Sequence, residues 1–105
     1  MKTFYIFLIF FTLSIISDDY LIIDVRTQEE FQSGHIENAS NIQWQNIGII
    51  QEKITKDRKI YLYCRSGNRS QKATDILIEL GYRDVLNIGG LKEAATLLDK
   101  KIVND

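Results

Sequence analysis

Apolar and polar positions along the chain form blocks that predict strands and helices in alternation. Short apolar runs, typical of buried parallel strands, lie at residues 19–25, 59–64 and 84–88. Apolar residues at helical spacing lie at residues 46–54, 70–80 and 91–101. A double glycine at residues 89–90 predicts a turn before the last helix. This order predicts an α/β domain with a central parallel sheet of four or five strands, flanked by helices on both faces.

The segment after the first predicted strand carries residues typical of helix ends. Glu30 follows Thr27 at the spacing of a capping box, and Gly34 is suited to ending a helix. These residues predict a short helix over residues 28–33. Residues 35–42 then predict a loop that runs into a second short strand.

The first seventeen residues differ from the rest of the chain. Lys2 precedes an apolar stretch at residues 4–13, and an acidic pair follows Ser17. This pattern predicts a signal peptide over residues 1–17, cleaved after Ser17, and a domain over residues 18–105. The stretch is shorter than the roughly 20 residues of a membrane-spanning helix. A buried N-terminal strand or helix and an uncleaved membrane anchor are the alternative interpretations. We expect an exported protein, periplasmic in a Gram-negative bacterium, without stable membrane association after cleavage.

Composition narrows the classes of partner and cofactor. The chain has 105 residues, enough for one folded domain after the signal, and a formal net charge of −1. A nucleic-acid-binding protein would normally carry a basic excess or stripe, so we expect no nucleic-acid partner. One cysteine and one histidine are too few for a zinc site, so no metal is expected.

The one cysteine, Cys64, lies between the strand predicted at 59–64 and the helix predicted at 70–80. In open parallel sheets, ligands bind outside the carboxyl ends of the strands, and Cys64 is at such an end. A lone thiol in an exported protein indicates either an intermolecular bond or a reactive group. An inert core cysteine is the simpler alternative, but the charged residues beside Cys64 disfavour it.

The sequence CRSGNRS, residues 64–70, predicts a nucleophile above an anion-binding loop. A strand–loop–helix turn containing a glycine directs successive backbone N–H groups toward one point, where they hold negative charge. Two arginines and the helix N-terminus favour the thiolate form of Cys64. The predicted loop consists of Arg65, Ser66, Gly67, Asn68, Arg69 and Ser70. Its substrate should be a small anionic electrophile that a thiolate can attack.

Phosphoryl transfer and sulfur transfer both use such a loop, and its length separates them. Cysteine phosphatases place an arginine six positions after the cysteine, where it clamps phosphate. Here Ser70 occupies that position, and the arginine comes one residue earlier, at Arg69. The shorter loop favours a single persulfide sulfur, while a phosphatase-like or arsenate-reductase-like enzyme stays a weaker alternative.

Three segments together resemble the single-domain rhodaneses, which are thiosulfate sulfurtransferases. LIIDVRTQEEFQSGHIENASNI is similar to the opening motif of that family, CRSGNRS resembles its active-site loop, and GYRDVLNIGGLKEA resembles its closing segment. The matching positions of the first segment are Asp24, Arg26, Glu30, Phe31, Gly34, His35, Ile36, Ala39 and Ile42. The resemblance covers residues 20–98 and includes small exported rhodaneses of the phage-shock-protein-E type.

The resemblance implies a two-step reaction without any cofactor. Cys64 would take sulfur from thiosulfate or a related donor, hold it as a persulfide, and pass it to cyanide or a thiol. A non-catalytic persulfide carrier or sulfide-sensing module is the main alternative. Asp24, Arg26 and His35 would support the structure, with an acid–base role for the Asp–Arg pair or a cysteine–histidine pair as lesser options. The role of Arg65 in substrate choice stays open.

Overall fold

The computed structural model describes residues 19–104, so the predicted signal peptide lies outside the described residues. The strands are β1 (Leu21–Asp24), β2 (His35–Ile36), β3 (Ser40–Asn41), β4 (Ile60–Cys64), β5 (Val85–Gly90) and β6 (Ile102–Val103). The helices are α1 (Gln28–Ser33), a 3₁₀ helix (Trp44–Glu52), α2 (Asn68–Glu79) and α3 (Leu91–Leu98). Within the described residues, no helix has the length and apolar character needed to cross a membrane.

The main sheet has four parallel strands in the order β3-β1-β4-β5. Strand β4 lies between β1 and β5, and Leu62 pairs with Ile23 on one side and Asn87 on the other. The prediction of a parallel α/β sheet flanked by helices is confirmed. A separate antiparallel pair of β2 and β6 was not predicted, because strands of two residues are too short to leave a periodic pattern.

Each face of the sheet buries an apolar cluster beneath helices, as the alternation of side chains along a strand requires. Ile23 and Leu62 point to one face, where they pack with Ile47 of the 3₁₀ helix and Leu77 of α2. The opposite face packs against α3, with a cluster formed by Ile22, Ile36, Tyr63, Ile88, Ala94 and Ala95. The helices therefore hold the sheet from both sides and fix the direction of β4.

Several element boundaries differ from the prediction. Helix α2 begins at Asn68, inside the predicted loop, because Gly67 takes a left-handed conformation (φ 96°) and turns the chain directly into the helix. The predicted turn at residues 89–90 is wrong, because β5 continues through both glycines and Gly90 pairs with Cys64. Helix α3 then follows at once, and it ends before Asp99, three residues earlier than predicted.

A buried ion pair ties β1 to the end of α1. Asp24 is fully buried and accepts hydrogen bonds from the Arg26 backbone N (2.9 Å), Nε (3.0 Å) and Nη2 (2.7 Å). Arg26 Nη2 also donates to the Gly34 carbonyl at 2.6 Å. The pair thus has its polar atoms satisfied inside the protein, which is the condition for keeping charges out of water.

His35 is also buried, and it contacts the end of α1. Its Nδ1 lies 2.8 Å from the carbonyl oxygen of Phe31, and its ring stacks on the Phe31 ring with centroids 3.7 Å apart. His35 therefore packs against the end of α1, and the supporting role that the resemblance implies stays a prediction. The predicted capping box of α1 is confirmed, since Thr27 and Glu30 exchange hydrogen bonds.

Candidate active site

Cys64 is the last residue of β4, at the carboxyl edge of the sheet, and its side chain is fully buried. Three hydrogen bonds converge on its Sγ atom, from the Gly67 backbone N (3.0 Å), the Ser70 backbone N (3.4 Å) and Ser70 Oγ (3.3 Å). Ser70 can reach back to the sulfur because it lies in the first turn of α2. Because α2 begins early, the backbone N of Gly67 and the backbone N and hydroxyl of Ser70 surround the sulfur. We call these groups the cradle.

These contacts favour the thiolate form of Cys64. Burial alone would raise the pKa of the thiol, but hydrogen bonds from the Ser70 hydroxyl and from the backbone N–H groups of Ser70, Ser66 and Gly67 outweigh it. The pKa of Cys64 is therefore lowered from its ordinary value. A thiolate held by preoriented donors is a nucleophile, and the same donors can hold negative charge on an attached sulfur.

The two arginines of the loop differ in their contacts. Arg69 is bound to Glu30 of α1 through two contacts, Nη1 to Oε1 at 2.8 Å and Nη2 to Oε2 at 3.0 Å. This contact is the main reason that the pKa of Glu30 falls to about 2. Arg65 is exposed, as are Ser66 and Asn68. Hydrogen bonds from Ser70 and the backbone are the principal groups that stabilise the thiolate, and the charge of Arg69 also interacts favourably with Cys64.

Asn87 of β5 is a site residue that the sequence analysis missed. Its Nδ2 donates to the Gly67 carbonyl (3.0 Å), and its Oδ1 accepts from Ser70 Oγ (2.6 Å) and from the Gly89 backbone N (3.0 Å). The Asn87 side chain thus connects Gly67 and Ser70, at the two ends of the cradle, to strand β5. A polar residue inside an otherwise apolar parallel strand, as in VLNI, is the pattern that could have indicated it.

The Ser70 hydroxyl has one hydrogen and two acceptors within reach, Asn87 Oδ1 and Cys64 Sγ. Ser70→Ala removes that donor, so we expect the pKa of Cys64 to rise and the thiolate fraction near neutral pH to fall. The rate of alkylation by iodoacetamide at pH 7 should drop about threefold to tenfold, which corresponds to the roughly 1 kcal/mol of a typical net hydrogen bond. The rate should recover at high pH, where the thiol ionises in both proteins.

The measurement is the pH profile of alkylation, followed by intact mass. Ser66→Ala is the matched control, because it removes an exposed hydroxyl from the same loop and keeps the backbone N–H that faces the sulfur. Its pH midpoint should equal that of the wild type. A Ser70→Ala profile that overlays the wild-type profile would refute the assigned role of the hydroxyl.

The double glycine lets β5 and the cradle approach each other closely. A Cβ atom added to Gly90 would fall against the carbonyl oxygen of Arg65, with the Arg65 carbonyl carbon at 3.2 Å. Gly89 has φ of 94°, and a Cβ there would lie 2.7 Å from Glu93 Oε1. Glu93 Oε1 in turn accepts from the Gly90 backbone N at 2.9 Å, at the start of α3. Neither glycine can be replaced without moving its neighbours.

We expect Gly90→Ala to displace the cradle, because the atom it meets is backbone and cannot rotate away. Overpacking of this kind costs about 1–3 kcal/mol of stability, and a shift of the reacting groups should lower turnover by about tenfold or more. Gly48→Ala is the control, since a Cβ there meets only the Leu80 side chain, at 3.7 Å. The free energy of unfolding in urea and the rate of the reaction at Cys64 would be measured for both variants and for the wild type. Wild-type turnover in Gly90→Ala would contradict the close contact.

Within residues 19–104, no group of three or more histidine, cysteine, aspartate or glutamate side chains is placed to hold a metal ion. The chemistry assembled at the loop is that of a buried thiolate surrounded by hydrogen-bond donors. It suits covalent capture of a small group and its later release to an acceptor.

Comparison with known proteins identifies relatives in sequence and in fold. The profile of the rhodanese-like domain matches residues 13–96. Thiosulfate sulfurtransferase PspE of Escherichia coli is 38% identical over 78 residues, which cover 70% of this chain and 72% of that protein. A solved structure of a rhodanese with anions from E. coli superposes with a TM-score of 0.72 at 34% identity, covering 82% of this chain and 99% of that one.

A longer relative shows a similar domain within a larger protein. Adenylyltransferase and sulfurtransferase UBA4 of Candida albicans is 41% identical over 92 residues. That match covers 79% of this chain, whereas this chain spans 21% of the UBA4 protein. The similarity to UBA4 therefore concerns one part of that protein.

Proposed function

Because the chain belongs to the rhodanese-like domain family, we propose that it is a sulfurtransferase that carries sulfane sulfur as a persulfide on Cys64. The donor is thiosulfate or a related anion, and the acceptor is cyanide or a thiol. One observation carries the proposal, namely the convergence of the Gly67 N–H, the Ser70 N–H and the Ser70 hydroxyl on the Cys64 sulfur. The relatives named sulfurtransferase support it.

In the first step, the Cys64 thiolate attacks the outer sulfur of thiosulfate. A bond forms between Sγ and that sulfur, the sulfur–sulfur bond of thiosulfate breaks, and its electron pair leaves with sulfite. The hydrogen-bond donors of the cradle then face the new persulfide. They stabilise the negative charge that develops on it as the sulfur is transferred. In the second step, the acceptor attacks the outer sulfur, and the electron pair of the broken bond returns to Sγ as thiolate.

The position of Arg69 disfavours the phosphatase-like alternative. A phosphate-clamping arginine must present its guanidinium to the substrate. The Arg69 guanidinium instead makes two hydrogen bonds to Glu30 and so ties the loop to α1. Measurable hydrolysis of an aryl phosphate by the purified protein would revive that alternative.

The test is an assay of residues 18–105 with thiosulfate and cyanide, which should yield thiocyanate. After incubation with thiosulfate alone, intact mass should show one added sulfur atom on Cys64. A protein that neither turns over nor gains sulfur from any sulfane donor would overturn the proposal. A stable persulfide with slow turnover would instead indicate the carrier or sensing module, so steady-state rates separate the two functions.

We also propose that the chain is exported and cleaved after Ser17. The basic Lys2, the apolar stretch at residues 4–13 and the acidic pair after Ser17 support this proposal. Expression of the full chain in a Gram-negative host, followed by fractionation and intact mass, tests it. A periplasmic protein that begins at residue 18 is expected. A cytoplasmic or membrane-retained protein with its N-terminus intact would refute it.

A further inference from the structure

A cavity of about 670 Å³ lies at the carboxyl edge of the sheet, beside the loop that follows Cys64. The segments after β1, β4 and β5 all contribute to its walls, which include Arg26, Glu30, Arg65, Lys92 and Glu93. The crevice outside the carboxyl ends of parallel strands is where open α/β sheets bind ligands. The cavity therefore lies at the edge where Cys64 ends β4, and Arg65, the residue after Cys64, forms part of its wall.

Two of its charged residues are already neutralised by partners. Arg26 is paired with the buried Asp24 at 2.7 Å. Glu30 is paired with Arg69 at 2.8 Å. These four residues form two ion pairs, each of which is neutral overall, so they add no net charge to the cavity.

The remaining charges leave an excess of positive charge. Arg65 and Lys92 are exposed, and neither forms an ion pair with another described residue. The opposing anion, Glu93, has one carboxylate oxygen bound to the Gly90 backbone N at 2.9 Å. Two cations against one anion favour a negatively charged reactant.

We propose that this cavity binds the sulfur acceptor and that Lys92, together with Arg65, selects a small thiol with a second, anionic group such as a carboxylate. The inference rests on the proposed sulfurtransferase function. In a two-step exchange, the product of the first step leaves before the acceptor enters, so donor and acceptor use the same opening in turn. The cations that face an anionic donor therefore also face the acceptor.

The transfer step needs one proton from water besides the acceptor. The first step leaves the Cys64 persulfide as an anion, which takes up that proton. The acceptor thiolate then attacks the outer sulfur of the protonated persulfide and forms a new sulfur–sulfur bond. The bond from Sγ to the outer sulfur breaks, and its electron pair stays on Sγ. The proton remains on the transferred sulfur, so the products are the free acceptor persulfide and the Cys64 thiolate, which the cradle stabilises.

The test uses protein loaded with sulfur from thiosulfate and then desalted. Three thiols with the same two-carbon chain act as acceptors: 2-mercaptoethanesulfonate, 2-mercaptoethanol and cysteamine, which carry an anionic, a neutral and a cationic group. Loss of the sulfur from Cys64 is followed by intact mass, and each rate is divided by the measured thiolate concentration. The anionic thiol should react about twofold to fivefold faster than the neutral one, the range for one partly exposed charge contact.

Substitutions at Lys92 test whether the cavity causes the preference for the anionic thiol. Lys92→Gln should bring the anionic-to-neutral ratio close to one, and Lys92→Glu should reverse it. Lys59→Gln is the matched control, because it removes the same charge from the amino end of β4, about 16 Å from Cys64 by strand rise, and should keep the wild-type ratio.

Two results would overturn the inference and leave sulfur transfer intact. They are equal rates per thiolate for all three thiols, and a preference that the Lys92 variants share with the wild type. Failure to load sulfur, or failure to pass it to any thiol or to cyanide, would overturn the sulfurtransferase proposal and this inference together. The loading measurement distinguishes these cases.

Discussion

Cys64→Ser is expected to abolish sulfur transfer while the domain stays folded. Serine fits the space of cysteine, and its hydroxyl can still accept from the Gly67 and Ser70 N–H groups that now face the sulfur. A hydroxyl does not ionise near neutral pH and cannot hold a sulfane sulfur as a persulfide. We therefore expect turnover to fall at least about a thousandfold, as when a covalent nucleophile is removed.

Three measurements check this result on the same preparation. Thiocyanate formation reports turnover, intact mass after thiosulfate reports sulfur loading, and urea unfolding shows whether the fold survives. Because the chain has one cysteine, any sulfur that remains on the variant must be bound elsewhere. Turnover or loading near the wild-type level in a folded variant would show that another group carries the reaction.

The architecture and the position of the thiol were predictable because they follow from local patterns. Apolar runs such as residues 59–64 predict buried parallel strands, and a parallel strand must end at the edge where ligands bind. Thr27 and Glu30 gave the start of α1 from spacing alone. In each case the determining residues are near one another in the sequence.

The hydrogen-bond network of the site could not be predicted in the same way, because its partners are far apart in the chain. Arg69 meets Glu30 across 39 positions, and Ser70 meets Asn87 across 17. From the sequence, both arginines and the helix N-terminus were expected to favour the thiolate, and the hydrogen bonds from Ser70 were not foreseen. The structure pairs Arg69 with the Glu30 carboxylate, and hydrogen bonds from neutral donors are the main groups that lower the pKa of Cys64.

The backbone conformation at the double glycine could not be predicted from the sequence either. Two adjacent glycines commonly mark a turn, yet here they extend β5. The reason is the residue that follows β4, since the Arg65 carbonyl occupies the space that a side chain at position 90 would need. This close approach between β5 and the loop after β4, which no local pattern reveals, determines the residue type.

The second large effect is expected at the buried ion pair, away from the thiol. Asp24→Ala removes the carboxylate that accepts hydrogen bonds from Arg26 and leaves the charge of Arg26, a residue that is only 5% exposed, without its counter-ion. Breaking a buried pair on one side costs about 3–5 kcal/mol. For a domain with a free energy of unfolding of about 5–15 kcal/mol, that loss is a large fraction of the total.

Urea unfolding at low temperature measures the change, and two further variants show its origin. Lys59→Gln breaks the surface pair of Lys59 with Asp84, whose atoms are 3.9 Å apart and whose side chains are about half exposed, so its free energy of unfolding should change by less than about 1 kcal/mol. The double variant Asp24→Leu, Arg26→Met replaces both charges with apolar groups.

Most of the lost stability should return in the double variant, because it no longer buries an unpaired charge. If the double variant were as unstable as Asp24→Ala, the cost would lie elsewhere, in the hydrogen bond from Arg26 to the Gly34 carbonyl. If Asp24→Ala were as stable as the wild type, the pair would make no net contribution. The connection between β1 and α1, from which Glu30 reaches Arg69 of the loop after Cys64, would then not depend on this ion pair.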